Sequence, residues 1–368
     1  MNGSKPSVGF QNYLRTAAKM SLRLNSALLA TVFATGFIAS AEAQDAPAKP
    51  EKLVMNVWGG PFEACISTYS AKPFEKDTGI KVELLTKAPP LAKLQAEGDS
   101  PEVDILIGGS VQRGIAEAQG LIVDLDESNI PELKDVYDMA KYRNGVVVNF
   151  SSLGLAYDTT KWDKPPTSWF DLVSAETPGK IVVRQPDAQN TVAWMAIMAK
   201  ELNGDWPTTI DEYEKVGELL NENMKPRLAV IATNTATTRA AFTDAGVSLG
   251  VWTDTQVSNF AKASGLPIAF VAPKEGATMI DSTAMVTRTP NKYWAEKLIG
   301  YILSHDAQKG CAESGFYAPS NSTVELGDEM VGKVTFGKEA ISNLVSVPWD
   351  KLNPINQDIA ELFYGSVQ

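Results

Sequence analysis

The side chains that could carry chemistry stand in short turns, each of which directly follows an apolar stretch. These turns are "WGG" at 58–60, "GGS" at 108–110, "RQPDAQNT" at 184–191 and "WTD" at 252–254. Open α/β sheets bind ligands outside the carboxyl ends of their strands, where the N–H groups of the following helices are also available. The pattern therefore predicts a binding cleft that is assembled from several turns.

The tryptophans have core packing as an alternative role. Trp194 lies in the middle of a helical pattern, "NTVAWMAIMAKELNG", and core packing is favoured there. Trp58 and Trp252 stand beside glycine or polar turn residues, where an aromatic wall of a ligand cleft is favoured over core packing. We therefore expect Trp58 and Trp252, but not Trp194, to contact a ligand.

Asp281 is a carboxylate set among apolar and small residues in "MIDSTAMV" at 279–286. Buried acids are rare unless they are paired or hydrogen-bonded, so this side chain needs a partner. The partner is either a cationic group of a ligand or the backbone N–H groups of a neighbouring turn. The residues leave both roles open.

The common catalytic patterns are not found in the sequence. His305 is the only histidine, and in "LSHDAQ" it stands among short polar residues of the kind that begin a helix. The sequence has no G-x-S-x-G nucleophile turn, and two cysteines with one histidine do not make the usual structural zinc site. We expect neither a metal nor another cofactor. The number of acidic residues does not show whether two carboxylates share one site, so a secreted carboxylate-dependent hydrolase remains the rival class.

Residues 1–43 predict export from the cytoplasm. Lys19 and Arg23 precede the apolar segment "SALLATVFATGFIASA", which is followed by "AEA" before Gln44. A basic region, an apolar segment and a small-x-small cleavage site are typical of a secretory signal peptide. The apolar segment is short for a membrane span, which needs about 20 residues. We expect a cleaved chain without a lipid anchor, located in a bacterial periplasm.

Charge and cysteine content restrict the partners further. The formal net charge of −11 argues against nucleic acid and anionic membranes and is compatible with a cationic ligand. Cys65 and Cys311 are the two cysteines. In an oxidising compartment they form one disulfide or remain two buried thiols, and the sequence does not decide between these.

Strand and helix patterns alternate along residues 52–120 as β-α-β-α-β-α, which predicts a parallel sheet covered by helices. The stretch "VVVNFSSLGLAYD" at 146–158 then predicts one or two strands, and a second α/β unit spans about 149–280. A strand and a long apolar-striped helix, "NKYWAEKLIGYILS", follow Asp281. In a chain of 368 residues one core usually splits into two domains.

The chain resembles the extracellular solute-binding proteins of ABC importers, in the branch that includes the spermidine/putrescine-binding proteins. The resemblance covers nearly all of 52–368 and depends on the order of "FEKDTGIKVELLT", "VDILIGG", "AEAQGLIVDLD", "PPTSWFDL", "PGKIVV", "VAPKEGATMIDSTAMV", "NKYWAEKLIGYILSHDAQ" and "GFYAPSN". It implies an α/β two-lobed periplasmic binding protein fold (type II), in which two α/β domains are joined by a crossover hinge near Asn149 and Asp281. Lobe 1 would comprise 50–148 plus 281–323, lobe 2 would comprise 149–280, and 324–368 would be a C-terminal segment packing on the lobes.

The resemblance also implies which side chains face the cleft. Asp281 matches a ligand-facing carboxylate of the amine-binding members, and Trp58 and Trp252 match cleft aromatics. Asp187 and Asp350 fall near an acidic and a polar ligand contact of the family. Together with the turns, this gives the candidate ligand-binding residues Trp58, Gly60, Ser110, Arg184, Asp187, Asn190, Trp252, Asp254, Asp281 and Asp350.

Three positions depart from the pattern of the amine binders. Asn190 stands roughly where they place a second acid, and Met279 stands where they place an aromatic. Arg184 adds a cation, which either neutralises Asp187 or meets an anionic group of the ligand. The departures therefore leave two classes of ligand open, an amine and an anionic or zwitterionic solute.

Sequence analysis thus predicts a periplasmic solute-binding protein of an ABC transporter, with putrescine, spermidine or a related amine as the leading ligand. The alternative is an anionic or zwitterionic solute, such as a phosphonate, a carboxylate or a sugar phosphate, bound through Arg184. The expected partner is an inner-membrane ABC permease, and the protein is expected to be a monomer that binds no nucleic acid. A chemosensory receptor that serves no permease is a third class.

Overall fold

The computed structural model describes residues 46–186 and 190–368. The predicted signal peptide at 1–43 and the candidate residue Asp187 therefore lie outside the described residues.

One mixed sheet runs through the described chain, in the order β2-β1-β3-β10-β5-β8-β6-β7, with β4, β9 and β11 also pairing with β5. Strands β1, β2 and β3 are parallel to one another, as are β6, β7 and β8. The strands are β1 Lys52–Asn56, β2 Lys81–Leu85, β3 Ile105–Gly108, β4 Lys141–Tyr142, β5 Gly145–Asp158, β6 Lys180–Arg184, β7 Leu228–Ala232, β8 Val247–Thr253, β9 Ile268–Val271, β10 Thr278–Val286 and β11 Ala318–Pro319.

Helices cover the sheet and connect its parallel strands. The helices are α1 Pro61–Ile66, α2 Lys72–Thr78, α3 Leu91–Glu97, α4 Ser110–Ala118, α5 Asn190–Asn203, α6 Glu214–Leu219, α7 Thr235–Asp244, α8 Asp254–Ser264, α9 Lys292–Leu303, α10 His305–Gly315, α11 Lys338–Ser342, α12 Trp349–Leu352 and α13 Asn356–Val367. Helix α2 ends at Gly79, which takes the left-handed conformation at φ 79° that suits glycine. Within the described ranges, none of the helices has the length and apolar character that a membrane span requires.

Strands β5 and β10 cross the middle of the sheet as an antiparallel pair, and we call them the crossing strands. Asp281 pairs with Phe150 and Ser282 with Asn149. The next residue, Thr283, pairs with Val147, so the ladder contains a bulge directly after Ser282. The two stretches predicted as crossovers, near Asn149 and Asp281, therefore face each other. A bulge at this place changes the direction of the neighbouring side chains.

Two large apolar cores lie on either side of the crossing strands. The first contains Leu53, Phe62, Ile105 and Leu298, and the second contains Trp169, Trp194, Leu249 and Phe363. Strand β5 contributes Val146, Val147, Val148 and Phe150 to the first core and Leu153, Leu155 and Tyr157 to the second. The C-terminal segment also divides, because Met330, Val334 and Ile341 join the first core whereas Val347, Leu352, Ile359, Phe363 and Val367 join the second.

A disulfide joins Cys65 of α1 to Cys311 of α10, whose Cα atoms are 5.1 Å apart. The two residues are 246 positions apart in sequence. Both side chains are buried in the first core, beside Phe62 and Phe316. The bridge therefore ties the end of α1 to α10, a helix of the same core that follows much later in the sequence.

We expect the double substitution Cys65→Ala/Cys311→Ala to lower the free energy of unfolding by about 2–5 kcal/mol, because the crosslink restricts a long loop in the unfolded chain. Urea denaturation with and without dithiothreitol measures this. The unsubstituted protein should lose stability in the reductant, whereas the double variant should not respond to it. Equal stability of the two proteins without reductant would contradict the expectation.

Candidate ligand-binding cavity

A cavity of about 910 Å³ lies where the crossing strands meet the carboxyl ends of parallel strands from both halves of the sheet. Its walls come from the turns after β1 and β3, from the ends of β6 and β8, and from the first residues of α5, α7 and α8. A volume of this size is typical of small-molecule sites. The turns in which the sequence places its candidate side chains therefore do converge.

Six of the predicted residues border this one cavity. They are Trp58, Gly60, Arg184, Asn190, Trp252 and Asp281. Ser110 stands directly behind them in contact with Asp281. Asp187 lies outside the described residues, and Asp254 and Asp350 are placed elsewhere, as described below.

Trp58 presents its indole ring at the edge of the cavity, with 42% of the residue exposed. The turn that carries it depends on Gly60, whose φ of 74° is a conformation that glycine adopts readily, and Pro61 then begins α1. The indole Nε1–H donates to Ser282 Oγ at 3.1 Å. One edge of the ring is thus fixed to the crossing strand β10 while much of its surface remains available.

Asp281 is buried, with 6% exposed, and its carboxylate lies against the first residue of α4. Oδ1 accepts from the Ser110 backbone N–H at 3.1 Å and from Ser110 Oγ at 2.8 Å, and Oδ2 accepts from Thr283 Oγ1. The N-terminus of a helix favours a negative group. Asp281 therefore bonds the local backbone and borders the cavity at once, so the two roles that the sequence leaves open are compatible.

A further network supports the Ser110 side chain. Its Oγ lies 3.2 Å from the Tyr142 hydroxyl. The Arg113 guanidinium stacks over the Tyr142 ring at 4.2 Å and donates to Asn144 and Glu117 at 2.8 and 2.9 Å. The charge of Arg113 is thereby paired, and the network orients the hydroxyl that holds Asp281.

Trp252 borders the cavity from within a stack of aromatic rings, and only 3% of it is exposed. Its ring lies parallel to Phe242 at a centroid distance of 6.1 Å and tilted against Phe260 at 5.7 Å. The two roles weighed for Trp252, cleft wall and core packing, therefore coincide.

Arg239 of α7 borders the cavity and is absent from the residues that the sequence singles out. Its guanidinium carbon lies 5.5 Å from the centre of the Phe260 ring, at the end of the aromatic stack. The turn between β7 and α7 fits the pattern used for the other candidates, in which polar residues follow a strand and precede a helix. Asn234 follows β7 and caps α7 by accepting from the Thr237 N–H at 2.9 Å. Arg239 lies one turn further along the helix.

Tyr317 and Asn259 also border the cavity without having been predicted. Tyr317 meets Phe62 edge-on at 5.4 Å, and burial raises the pKa of its hydroxyl. Asn259 Nδ2 donates to the carbonyl oxygens of Thr255 and Gly315 at 2.9 and 2.8 Å. Neither residue stands in a turn after a strand, so position in the sequence does not reveal them.

Asp254 is not at the cavity, which corrects the prediction. It is the first residue of α8 and only 1% exposed. Oδ1 accepts from the N–H groups of Ser152 and Thr255, and Oδ2 accepts from the N–H and the hydroxyl of Thr335, at 2.7 to 3.0 Å. The carboxylate thus fastens the crossing strand β5 to the C-terminal segment. Burial raises the pKa of Asp254 to about 6, although these hydrogen bonds lower it.

Asp350 is likewise not at the cavity. It lies in the first turn of α12 and is exposed to solvent. Leu352 of the same short helix is fully buried in the second core. The anchoring of α12 through Leu352 leaves the Asp350 side chain on the outer surface.

The sequence profile of the family "Bacterial extracellular solute-binding protein" matches residues 70–337. The chain is 27% identical over 262 residues to the spermidine/putrescine-binding periplasmic protein 1 of Haemophilus influenzae, covering 67% of this chain and 70% of that protein. It is also 27% identical over 310 residues to the gamma-aminobutyric acid-binding protein of Pseudomonas aeruginosa, covering 78% and 81%.

Solved structures share the fold. An extracellular solute-binding protein from Bordetella parapertussis superimposes with a TM-score of 0.73 at 21% identity, covering 86% of this chain and 99% of that one. A spermidine/putrescine ABC transporter substrate-binding protein from Streptococcus pneumoniae gives 0.70 at 18% identity, covering 87% and 100%. The predicted two-lobed periplasmic binding protein fold is thereby confirmed.

The pH dependence of stability should report on Asp254. Because its pKa is higher in the folded than in the unfolded chain, its contribution to stability is present below about pH 4 and is lost as the pH rises through about 6. The stability of the unsubstituted protein relative to Asp254→Asn should therefore fall by roughly 3 kcal/mol across this window. Urea denaturation at pH 4 and pH 7 measures the difference, with Asp350→Asn as the matched control. A difference that is the same at both pH values would contradict this role for burial.

Proposed function

The chain belongs to the bacterial extracellular solute-binding proteins, and on this basis we propose that it captures a small organic solute bearing an amino group and delivers it to an ABC permease for import. The observation that carries the proposal is that Trp58 and Asp281 border the same cavity. The expected site of action is the periplasm, and the expected form is a monomer.

Trp58 and Asp281 together suit a protonated amine. An ammonium group is attracted to the face of an indole ring, and a carboxylate accepts charge-assisted hydrogen bonds from it. Both residues are fixed to β10, since Trp58 Nε1–H donates to Ser282 and Asp281 is itself part of this strand. Their relative positions are therefore set before a ligand arrives, which reduces the cost of binding.

Asp281 retains capacity for a ligand after its internal bonds are counted. An ionised carboxylate offers about four acceptor positions. Ser110 and Thr283 supply three donors. About one acceptor position therefore remains for a group in the cavity.

The names of the relatives support an amine. Spermidine, putrescine and gamma-aminobutyric acid all carry an amino group, and these are the solutes in the names of the similar curated proteins. The relatives are binding proteins rather than enzymes. Carboxylate-dependent glycoside hydrolysis uses two acids across one site, and Asp281 is the single carboxylate among the described residues that border the cavity.

Asp281→Asn should weaken the binding of an amine at least tenfold, because a hydrogen bond to a charged group is lost. Isothermal titration measures this with whichever of putrescine, spermidine or 4-aminobutyrate raises the melting temperature of the unsubstituted protein most. The matched control is Asp350→Asn, which removes an exposed carboxylate away from the cavity and should leave affinity unchanged.

The melting temperature and the circular dichroism of both variants show whether the cap of α4 survives. Affinity that Asp281→Asn leaves unaltered would remove Asp281 from the site. A panel in which amino compounds have no effect while a sugar binds would contradict the proposed class of solute.

A further inference from the structure

Among the residues that the structure describes, Arg239 carries a positive charge at the cavity and has no negative partner. Its guanidinium packs on Phe260, and within residues 46–186 and 190–368 it forms no ion pair. Its Nε atom is buried and has no hydrogen-bond partner there. A buried donor without an acceptor is costly, so a native structure that keeps one calls for an explanation.

The cation–π contact with Phe260 supplies no oxygen acceptor for the five N–H donors of the guanidinium. The planar fork of these donors matches the two oxygens of a carboxylate. Arg239 thus rests against Phe260 while the hydrogen-bonding capacity of its guanidinium remains for something in the cavity.

The charges at the cavity are divided between its two sides. Arg184 ends β6 and pairs with Ala232 of β7, after which α7 carries Arg239. Asp281 lies on β10, and the order β10-β5-β8-β6 puts three strand spacings, about 14 Å of backbone, between Asp281 and Arg184. The cavity therefore has the cation Arg239 of α7 on the side of β6 and the anion Asp281 on the side of β10.

A diamine or polyamine fits this division poorly. Among the described residues that border the cavity, the charged ones are Arg184, Arg239 and Asp281. A second ammonium group would approach the guanidinium side, where like charges repel and water is partly excluded. A solute with one ammonium and one carboxylate group would find a complementary charge at each end.

We propose that Arg239 determines specificity by binding a carboxylate of the ligand, so that the solute is a zwitterionic amino acid with separated charges and not a polyamine. The proposal rests on the proposed function, because it takes the same cavity as the binding site and the same Asp281 and Trp58 side as the amine subsite. It adds the residue that would bind the other end of the ligand.

Matched probes with the same chain length test the proposal. Isothermal titration would compare 4-aminobutyrate with putrescine, 6-aminohexanoate with 1,6-diaminohexane, and succinate as a compound without an amine. The unsubstituted protein should bind at least one amino acid of these pairs ten or more times tighter than its diamine. Arg239→Gln should weaken that binding at least tenfold, and Arg239→Lys, which keeps the charge but not the fork, should lose less.

The control variant is Arg288→Gln, which removes an arginine that lies near Asp99 away from the cavity and should leave every affinity unchanged. Arg239→Gln should in addition bring the affinities for the amino acid and its diamine closer together, an effect that a merely packing role on Phe260 would not produce.

The outcomes separate this inference from the proposed function. A diamine that binds as tightly as its amino acid, or an amino acid whose affinity is the same in Arg239→Gln, would overturn the inference while leaving amine capture intact. Binding of succinate alone, lost in Arg239→Gln, would contradict amine capture and, with it, an amino acid as the ligand, and would leave only the carboxylate subsite standing. Failure of every carboxylate probe to bind would overturn the inference.

Discussion

A carboxylate buried in the strand that crosses the middle of the sheet needs hydrogen-bond donors, and the arrangement of the site depends on how they are provided. Asp281 receives two donors from Ser110, the first residue of α4, and this is feasible because β10 pairs with β3 up to Gly108. The turn between β3 and α4 therefore has to lie beside β10. That one requirement fixes the position of α4 and keeps the acid at the cavity.

Different interactions hold the charged side chains on the two sides of the cavity in place. Hydrogen bonds hold Asp281 and occupy most of its acceptor positions, so little of its capacity is left. Aromatic packing holds Arg239, through the stack of Phe242, Trp252 and Phe260, and leaves the N–H donors of the guanidinium in place. On this reasoning the cationic side has more to offer a ligand than the anionic side, which is the opposite of what a cavity for polyamines requires.

Sequence patterns predicted the strands and the turns that meet at the cavity, because strand ends in an α/β sheet converge by geometry. The crossovers near Asn149 and Asp281 came from the resemblance to the family. Sequence patterns predicted less well which side chain of a turn points inward. Asp254 belongs to the turn after β8, but it begins α8 and its carboxylate faces β5 and Thr335. The direction of that carboxylate depends on a segment 81 residues away, which no local pattern contains.

Contacts between residues far apart in the sequence also explain why Arg239 was not predicted and why Asp350 was predicted wrongly. Arg239 is five residues beyond the helix cap Asn234, and its place at the cavity follows from Phe260, which belongs to a different helix. Asp350 was assigned to the site only by resemblance, and the burial of Leu352 turns its helix so that the acid faces solvent. In both cases the local sequence indicates the helix, but tertiary packing sets the direction in which the side chain points.

Asp281 and Asp254 show why a buried acid near the hinge need not bind a ligand. The donors to Asp254 come from Ser152, Thr255 and Thr335 and fill its acceptor positions, so it can connect β5 to the C-terminal segment but has little left to offer. Asp281 has three donors and borders open space. Burial and residue type are the same in the two cases. What distinguishes a binding acid from a structural one is the acceptor capacity left after the protein's own donors are counted, together with access to a cavity.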